Sequence, residues 1–268
     1  MMVPPISILC MAVSALLCIG VPVALLIVAR RKFGAKIVPV LVGAAAFVVF
    51  VMVLRRILQQ LILNLHDDGS TWMTEYPFWY MLYLCLFVGI IEETGRFLSF
   101  KLLKRRYDGI GTGLGYGVGF GGGSAILLGG VAMINTLIFS VIANSTNGSY
   151  DLLVFMEASI NAAQPPSSFL LSGVDQMFAL TKHISLSVIV FYSVCENRRL
   201  WLYPAAILLS ALINIPAALV QVGVLTNGIF NEAFLYLGPV ILALIAFYTY
   251  RRLKPSNVLV TREIDTFE

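Results

Sequence analysis

Charged residues are scarce in this sequence. Only 12% of its 268 residues are Asp, Glu, Lys or Arg, whereas 59% are hydrophobic, and the mean hydropathy is +0.89. This composition excludes a soluble globular domain, in which about 25% of residues are charged. The long apolar runs instead predict an integral protein of the cell membrane that crosses the bilayer several times.

Histidine and cysteine are also rare, which limits the metal and redox chemistry open to the chain. The two histidines are His66 and His183, and the four cysteines are Cys10, Cys18, Cys85 and Cys195. The cysteines lie in or at the end of apolar runs without zinc or disulfide spacing, so we interpret them as small core residues. The net charge of +4 follows the predicted membrane topology and does not indicate a nucleic-acid partner.

Seven apolar runs are long enough to cross a bilayer as helices. They are about Pro5–Ala29, Ile37–Leu63, Pro77–Phe100, Ile110–Ala143, Phe169–Val194, Leu202–Leu225 and Ala233–Tyr250. The second and fourth are long enough to tilt, kink or project beyond the membrane. We therefore predict an all-α bundle of about seven membrane helices, with one transmembrane domain over residues 1–250 and a short cytoplasmic tail over 251–268. A short interfacial helix over residues 151–163 is also predicted.

The basic residues lie on one side of this predicted bundle. They follow the first, third, fifth and last spans, in the ranges 30–36, 101–106, 198–199 and 251–262, and the opposite loops carry acidic residues without Lys or Arg. The positive-inside rule therefore places the N-terminus outside and the C-terminus in the cytoplasm. Arg55 and Arg56 in the outer half of the second span are expected to snorkel to the outer surface, or, if one faces inward, to pair with Asp175.

The third span contains the run Glu92-Glu93-Thr94-Gly95-Arg96. Each such charge costs about 2.5–3.5 kcal/mol near the centre of a membrane helix, so these side chains must face protein or water. Arg96 lies three and four residues after the two glutamates and can reach either of them on one helix face. Intramembrane ionisable residues indicate a functional site by default. The alternative is a buried charge cluster that only locks helices together.

Polar residues of two other spans lie at a similar depth. We count residues from the cytoplasmic end of each span. Glu92 and Ser210 lie about 8 residues in, and His183 and Asn214 lie about 12 residues in. At about 1.5 Å per residue these depths are ~12 and ~18 Å. Ser210 and Asn214 share one helix face. We therefore expect polar groups from three helices to converge at one depth.

The fourth span begins with glycines at nearly every second position from Gly109 to Gly123. A phosphate-binding loop is excluded, because the preceding strand and the lysine are missing. On a helix these glycines form two ridges, about 160° apart at about 100° per residue, so neighbouring helices can approach closely on both sides. We predict that this helix is central in the bundle. The alternative is locally unwound backbone beside a cavity.

These motifs, in this order, resemble the bacterial YhfC-type intramembrane metalloproteases, relatives of the CAAX-processing and PrsW-type proteases. The resemblance extends roughly from the second span to the seventh. It rests on Glu92-Glu93-Thr94-Gly95-Arg96, the glycine-rich span, His183-Ile-Ser-Leu-Ser, and Ser210-Ala-Leu-Ile-Asn214 before Pro216. It implies a buried site near the cytoplasmic leaflet, in which a glutamate activates water and histidines with an acidic or amide residue complete the site, with or without a metal.

Carried over by position, the resemblance implies catalytic roles for Glu92, Glu93 and His183, with Arg96, Asn214 and Ser210 in support. Glu92, Glu93 and His183 are also the candidate ligands of a divalent metal. This chain departs from the family pattern at three positions, where Phe120, Ser124 and Ser210 stand in place of His, Glu and His. Phenylalanine and serine do not replace imidazole as zinc ligands, so a conventional zinc site is not expected.

Three functions remain open from the sequence. The first is hydrolysis of a transmembrane peptide or protein substrate at the Glu/Glu/Arg and His site. The second is a catalytically inactive relative that binds a membrane peptide, lipid or partner protein. The third, a small transporter, is weaker, because the chain has no inverted-repeat pattern and its polar residues cluster at one depth.

The predicted topology is testable with a reporter that is active only outside the cytoplasm. We expect this reporter to be inactive when fused at the C-terminus, because the basic residues hold that end in the cytoplasm. Activity of the C-terminal fusion, measured beside the same reporter placed in the predicted outer loop near residue 148, would contradict the predicted orientation.

Overall fold

The computed structural model describes residues 3–64, 75–107, 109–145, 152–195, 199–224 and 229–252. Within these ranges the chain forms eight helices and no strand, which confirms the all-α prediction. They are α1 (Pro5–Phe33), α2 (37–64), α3 (Pro77–Leu103), α4 (110–145), α5 (Leu152–Ala163), α6 (Pro166–Cys195), α7 (Leu202–Gln221) and α8 (Ile229–Arg252). The predicted tail beyond Arg252, the loop with His66 and the predicted span end at Leu225 lie outside the described residues.

Six of these helices are long and apolar enough to cross a membrane: α1, α2, α4, α6, α7 and α8. The seventh predicted span, α3, is a helix of 27 residues but falls outside this set. Its intramembrane charges, above all Glu92 and Glu93, lower its hydropathy. The bundle is thus a multi-pass membrane protein, and its orientation in the bilayer stays a prediction.

The two longest predicted spans each contain a stretch of π-helix. Phe47–Leu54 interrupts α2, and Ala125–Gly130 interrupts α4. A π-helical stretch bends a helix and changes the direction in which the following side chains point. In α2 this stretch ends immediately before Arg55.

The glycine-rich half of α4, Ile110–Ser124, is a regular α-helix, so the alternative of unwound backbone is wrong. One glycine ridge faces α2: a Cβ on Gly119 would overlap the backbone carbonyl of Val40. The other ridge faces α6: a Cβ on Gly117 would lie 2.8 Å from the Cα of Ile184. Both neighbours therefore touch the α4 backbone directly, and the predicted central position of this helix is confirmed.

The predicted short helix over 151–163 is present as α5. It packs on the last segment of α4, where Asn161 Nδ2 donates a hydrogen bond to Ser140 Oγ over 3.2 Å. Both of these side chains are buried. This contact holds α5 against the last segment of α4.

The close packing of α4 on α2 is testable with a single added methyl group. Gly119→Ala is expected to destabilise the protein by about 1–3 kcal/mol, because the methyl group must push the α2 backbone away. The matched control is Gly20→Ala in α1, where a Cβ meets nothing within 4 Å and alanine is the better helix former. Thermal unfolding in detergent measures both variants, and equal midpoints for the two would contradict the packing described.

Candidate functional site

Helix α3 buries three charged residues on one face. Glu92, Glu93 and Arg96 are 4%, 0% and 0% exposed, respectively. Two glycines of the same helix allow neighbours to close over this face. A Cβ on Gly89 would lie 3.0 Å from the carbonyl oxygen of Ile207 in α7, and one on Gly95 would lie 2.7 Å from the ring of Phe50 in α2. The charged residues therefore lie inside the protein rather than in lipid.

Arg96 is at the centre of this polar cluster. Its Nη1 donates to Oε1 of Glu93, and its Nη2 lies 2.7 Å from Nδ1 of His183 and 3.7 Å from Oε2 of Glu92. A guanidinium only donates hydrogen bonds, so Nδ1 of His183 must accept, and the proton of the neutral ring lies on Nε2. The imidazole thereby presents an N–H donor away from Arg96.

His183 also lies beside Glu92. Its Nδ1 is 3.9 Å from Oε2 of Glu92, and its side chain is buried. The histidine reaches α3 because α6 packs directly on the glycines of α4, with Gly121 against the Cβ of His183. The structure thus brings together four of the predicted site residues, Glu92, Glu93, Arg96 and His183, from α3 and α6.

The ring of Phe120 in α4 packs against the guanidinium of Arg96. The guanidinium carbon lies 4.2 Å from the centre of the Phe120 ring, and the ring centres of Phe120 and His183 are 5.2 Å apart. A cation over an aromatic face gains about 2 kcal/mol when it is desolvated, and Arg96 is fully buried. Sequence reasoning treated Phe120 only as a lost metal ligand and missed its contact with the cation.

Arg55 is the second arginine of the site, and sequence reasoning assigned it wrongly. Its Nη1 lies 3.3 Å from Oε1 of Glu92, and its side chain is 28% exposed. It therefore neither snorkels nor pairs with Asp175, which accepts a hydrogen bond from Tyr236 over 3.1 Å. The π-helical stretch ends immediately before Arg55, and such a stretch changes the direction in which the following side chains point. Arg56 is exposed, as snorkelling requires.

Asn214 does not touch the central cluster directly. Its Oδ1 lies 3.5 Å from Nζ of Lys182, the residue before His183 on α6, and Lys182 is within electrostatic reach of Glu92 and Glu93. The Nδ2 of Asn214 and the Oγ of Ser210 are buried and have no hydrogen-bond partner among the described residues. Ser124 is buried at the end of the glycine-rich segment. Lys182 thus connects Asn214 to the site, and the spacing of the motifs did not reveal this.

The two glutamates each keep one oxygen free of hydrogen bonds. Oε2 of Glu92 and Oε2 of Glu93 are buried without a hydrogen-bond partner in the part of the chain that the structure describes. Buried carboxylate oxygens normally accept at least one hydrogen bond. These atoms are therefore the acceptors to which a water molecule or a substrate N–H would bind.

The donor set does not fit a conventional zinc site. Within the described ranges no group of three or more His, Cys, Asp and Glu side chains is arranged to hold a metal. The lone pair of His183 Nδ1 and one oxygen of Glu93 are already directed at Arg96. Zinc requires these lone pairs itself, and a guanidinium beside it would repel it.

Comparisons with known proteins identify the family of this chain. Residues 14–235 match the sequence model of a family described as YhfC intramembrane metalloprotease. Over 235 residues the chain is 32% identical to a Bacillus subtilis (strain 168) protein, named uncharacterized membrane protein YhfC, and the match covers 84% of this chain and 90% of that protein. No solved structure matches the chain. Because the family match covers most of the chain and every residue of the site, this protein belongs to the YhfC intramembrane metalloprotease family.

Proposed function

We propose that this protein hydrolyses a peptide bond of a transmembrane peptide or protein, with Glu92 as the general base. The observation that supports this proposal best is the contact of Glu92 with His183 inside the bundle. A carboxylate with one oxygen that accepts no hydrogen bond, beside an imidazole in the interior of a membrane protein, is an arrangement suited to water activation.

Glu92 suits the role of the base better than Glu93. Glu93 is completely enclosed and is bound by Arg96, so it serves to hold the guanidinium in place. Glu92 retains slight exposure and lies beside the partly exposed Arg55, so it is the more accessible of the two carboxylates. A general base must be within hydrogen-bond distance of the proton that it removes.

In the proposed reaction, Oε2 of Glu92 removes a proton from water, and the water oxygen attacks the scissile carbonyl carbon. The resulting oxyanion accepts hydrogen bonds from Nε2–H of His183 and from the amide of Asn214. The protonated Glu92 then gives its proton to the leaving amine as the C–N bond breaks. Each preorganised donor to the oxyanion contributes about 2.7–4 kcal/mol to such a reaction.

Lys182 determines which end of Asn214 faces the substrate. An ammonium group only donates, so the amide oxygen of Asn214 must face Nζ of Lys182. The amide N–H₂ group is then directed away from Lys182, and its nitrogen is the buried unpartnered atom noted above. This orientation supports Asn214 as a donor to the carbonyl oxygen.

The contact of Phe120 with Arg96 and His183 favours a second function. An apolar ring lies where the family resemblance implies a chemically active side chain. A protein with this site would bind a membrane peptide through the same donors and acceptors without cleaving it. The two functions differ in one outcome, the appearance of a cleaved product.

The role of Glu92 is testable with Glu92→Gln, which preserves the size of the side chain but replaces one acceptor oxygen by an N–H₂ donor and removes the base. We expect the cleavage of host membrane proteins to fall by about 10²–10⁴-fold. Mass spectrometry of membranes from expressing cells measures this cleavage. The matched control is Glu157→Gln in α5, which should cleave as the unchanged protein does. Equal cleavage by Glu92→Gln and the control excludes Glu92 as the base, and no cleaved product from any form favours the binding function.

A further inference from the structure

The family description implies a metal, but the donor atoms of this chain do not fit one. The reason is the position of Arg96. The candidate ligand atoms are Oε1 of Glu93, Nδ1 of His183 and Oε2 of Glu92. All three surround the two terminal nitrogens of Arg96, the last two at 2.7 and 3.7 Å. The centre of the donor set is therefore already a cation. We propose that the Arg96 guanidinium is the resident cation of this site and that the chain holds its carboxylates and imidazole without a bound metal.

Arg96 is held in this position from several sides. Its side chain is fully buried, and its guanidinium carbon lies over the ring of Phe120, which itself packs edge-on against Phe47 with ring centres 5.6 Å apart. An aromatic face binds a planar guanidinium well and offers no lone pair to zinc. The phenylalanine that departs from the family pattern therefore matches the cation that is present.

The charge balance of the cluster also favours an arginine over a metal. In their ionised forms, Arg96 and Arg55 balance the two carboxylates of Glu92 and Glu93 that they face. A divalent ion added to this set would leave an excess of two positive charges in a region of low dielectric, with Lys182 close by. Displacement of Arg96 would instead leave a guanidinium buried without a partner.

This inference concerns the same site as the proposed hydrolysis but does not depend on catalysis. The first test is elemental analysis of the purified full-length protein, together with its thermal unfolding in detergent with and without EDTA. We expect far less than stoichiometric zinc, manganese, iron or cobalt, and the same unfolding midpoint in both conditions. Stoichiometric metal that is lost in His183→Ala, or a midpoint that falls with EDTA, would overturn the inference.

The second test removes the cation itself. Arg96→Met is expected to lower the unfolding midpoint by several degrees, because two buried carboxylates lose their shared partner. Arg56→Met, at an exposed arginine of α2, is the control and should change little. If Arg96→Met does not fold, Arg96→Met combined with Glu93→Gln reduces the imbalance of charge and should recover a folded protein. A single Arg96→Met variant as stable as the control would contradict the role of Arg96.

A chelator added to the cleavage assay distinguishes failure of the inference from failure of the proposed function. Cleavage that continues in EDTA supports both, whereas cleavage that stops in EDTA and returns with metal overturns the resident arginine and leaves hydrolysis intact. If the protein cleaves nothing, hydrolysis fails, and the elemental analysis and the unfolding midpoints still decide whether Arg96 is the resident cation.

Discussion

The structure depends on charge compensation in an apolar interior. Glu92, Glu93 and Arg96 are held on one helix inside a membrane protein, where an unpaired charge is unstable. Removal of one partner from such a buried pair costs about 3–5 kcal/mol, because the other charge is left without compensation. Neighbouring helices must therefore supply the remaining partners, and they do so through Arg55 of α2 and His183 of α6.

The glycines of α4 allow the helices that carry Arg55 and His183 to come close to α3. The glycine-rich segment of α4 is thin on two opposite sides, so α2 and α6 both lie directly against its backbone. With larger residues on α4, the two neighbouring helices would lie farther from each other and from α3. The same packing places Phe120 beneath Arg96. The glycines thus serve the site by bringing charged residues of separate helices together, although none of them is chemically reactive.

The family name and the site of this chain lead to different chemistry. A metal polarises water or a carbonyl by its own charge. In the site proposed here, Arg96 and Arg55 supply the positive charge next to the carboxylates, and His183 acts as a neutral donor. Hydrolysis would then depend on a carboxylate base and preorganised hydrogen-bond donors, which supply much of the rate enhancement in many enzymes.

Features that repeat within one helix were predictable from the sequence. The apolar runs predicted the helices closely, the spacing of Glu92, Glu93 and Arg96 predicted their shared face, and the alternate glycines predicted the central position of α4. The depth of His183 predicted that it would lie beside the glutamates. Each of these follows from the regular rise and turn of an α-helix.

Contacts that depend on the rotation of one helix against another were decided only by the tertiary structure. Arg55 meets Glu92 just after the π-helical turns of α2, the α4–α6 packing places Phe120 under Arg96, and the meeting of α6 and α7 joins Lys182 to Asn214. The sequence alone determined that charges must be buried and that helices must surround them. Which side chains complete the set was decided by packing, because local periodicity gives the face of a residue but not its partner across the interface.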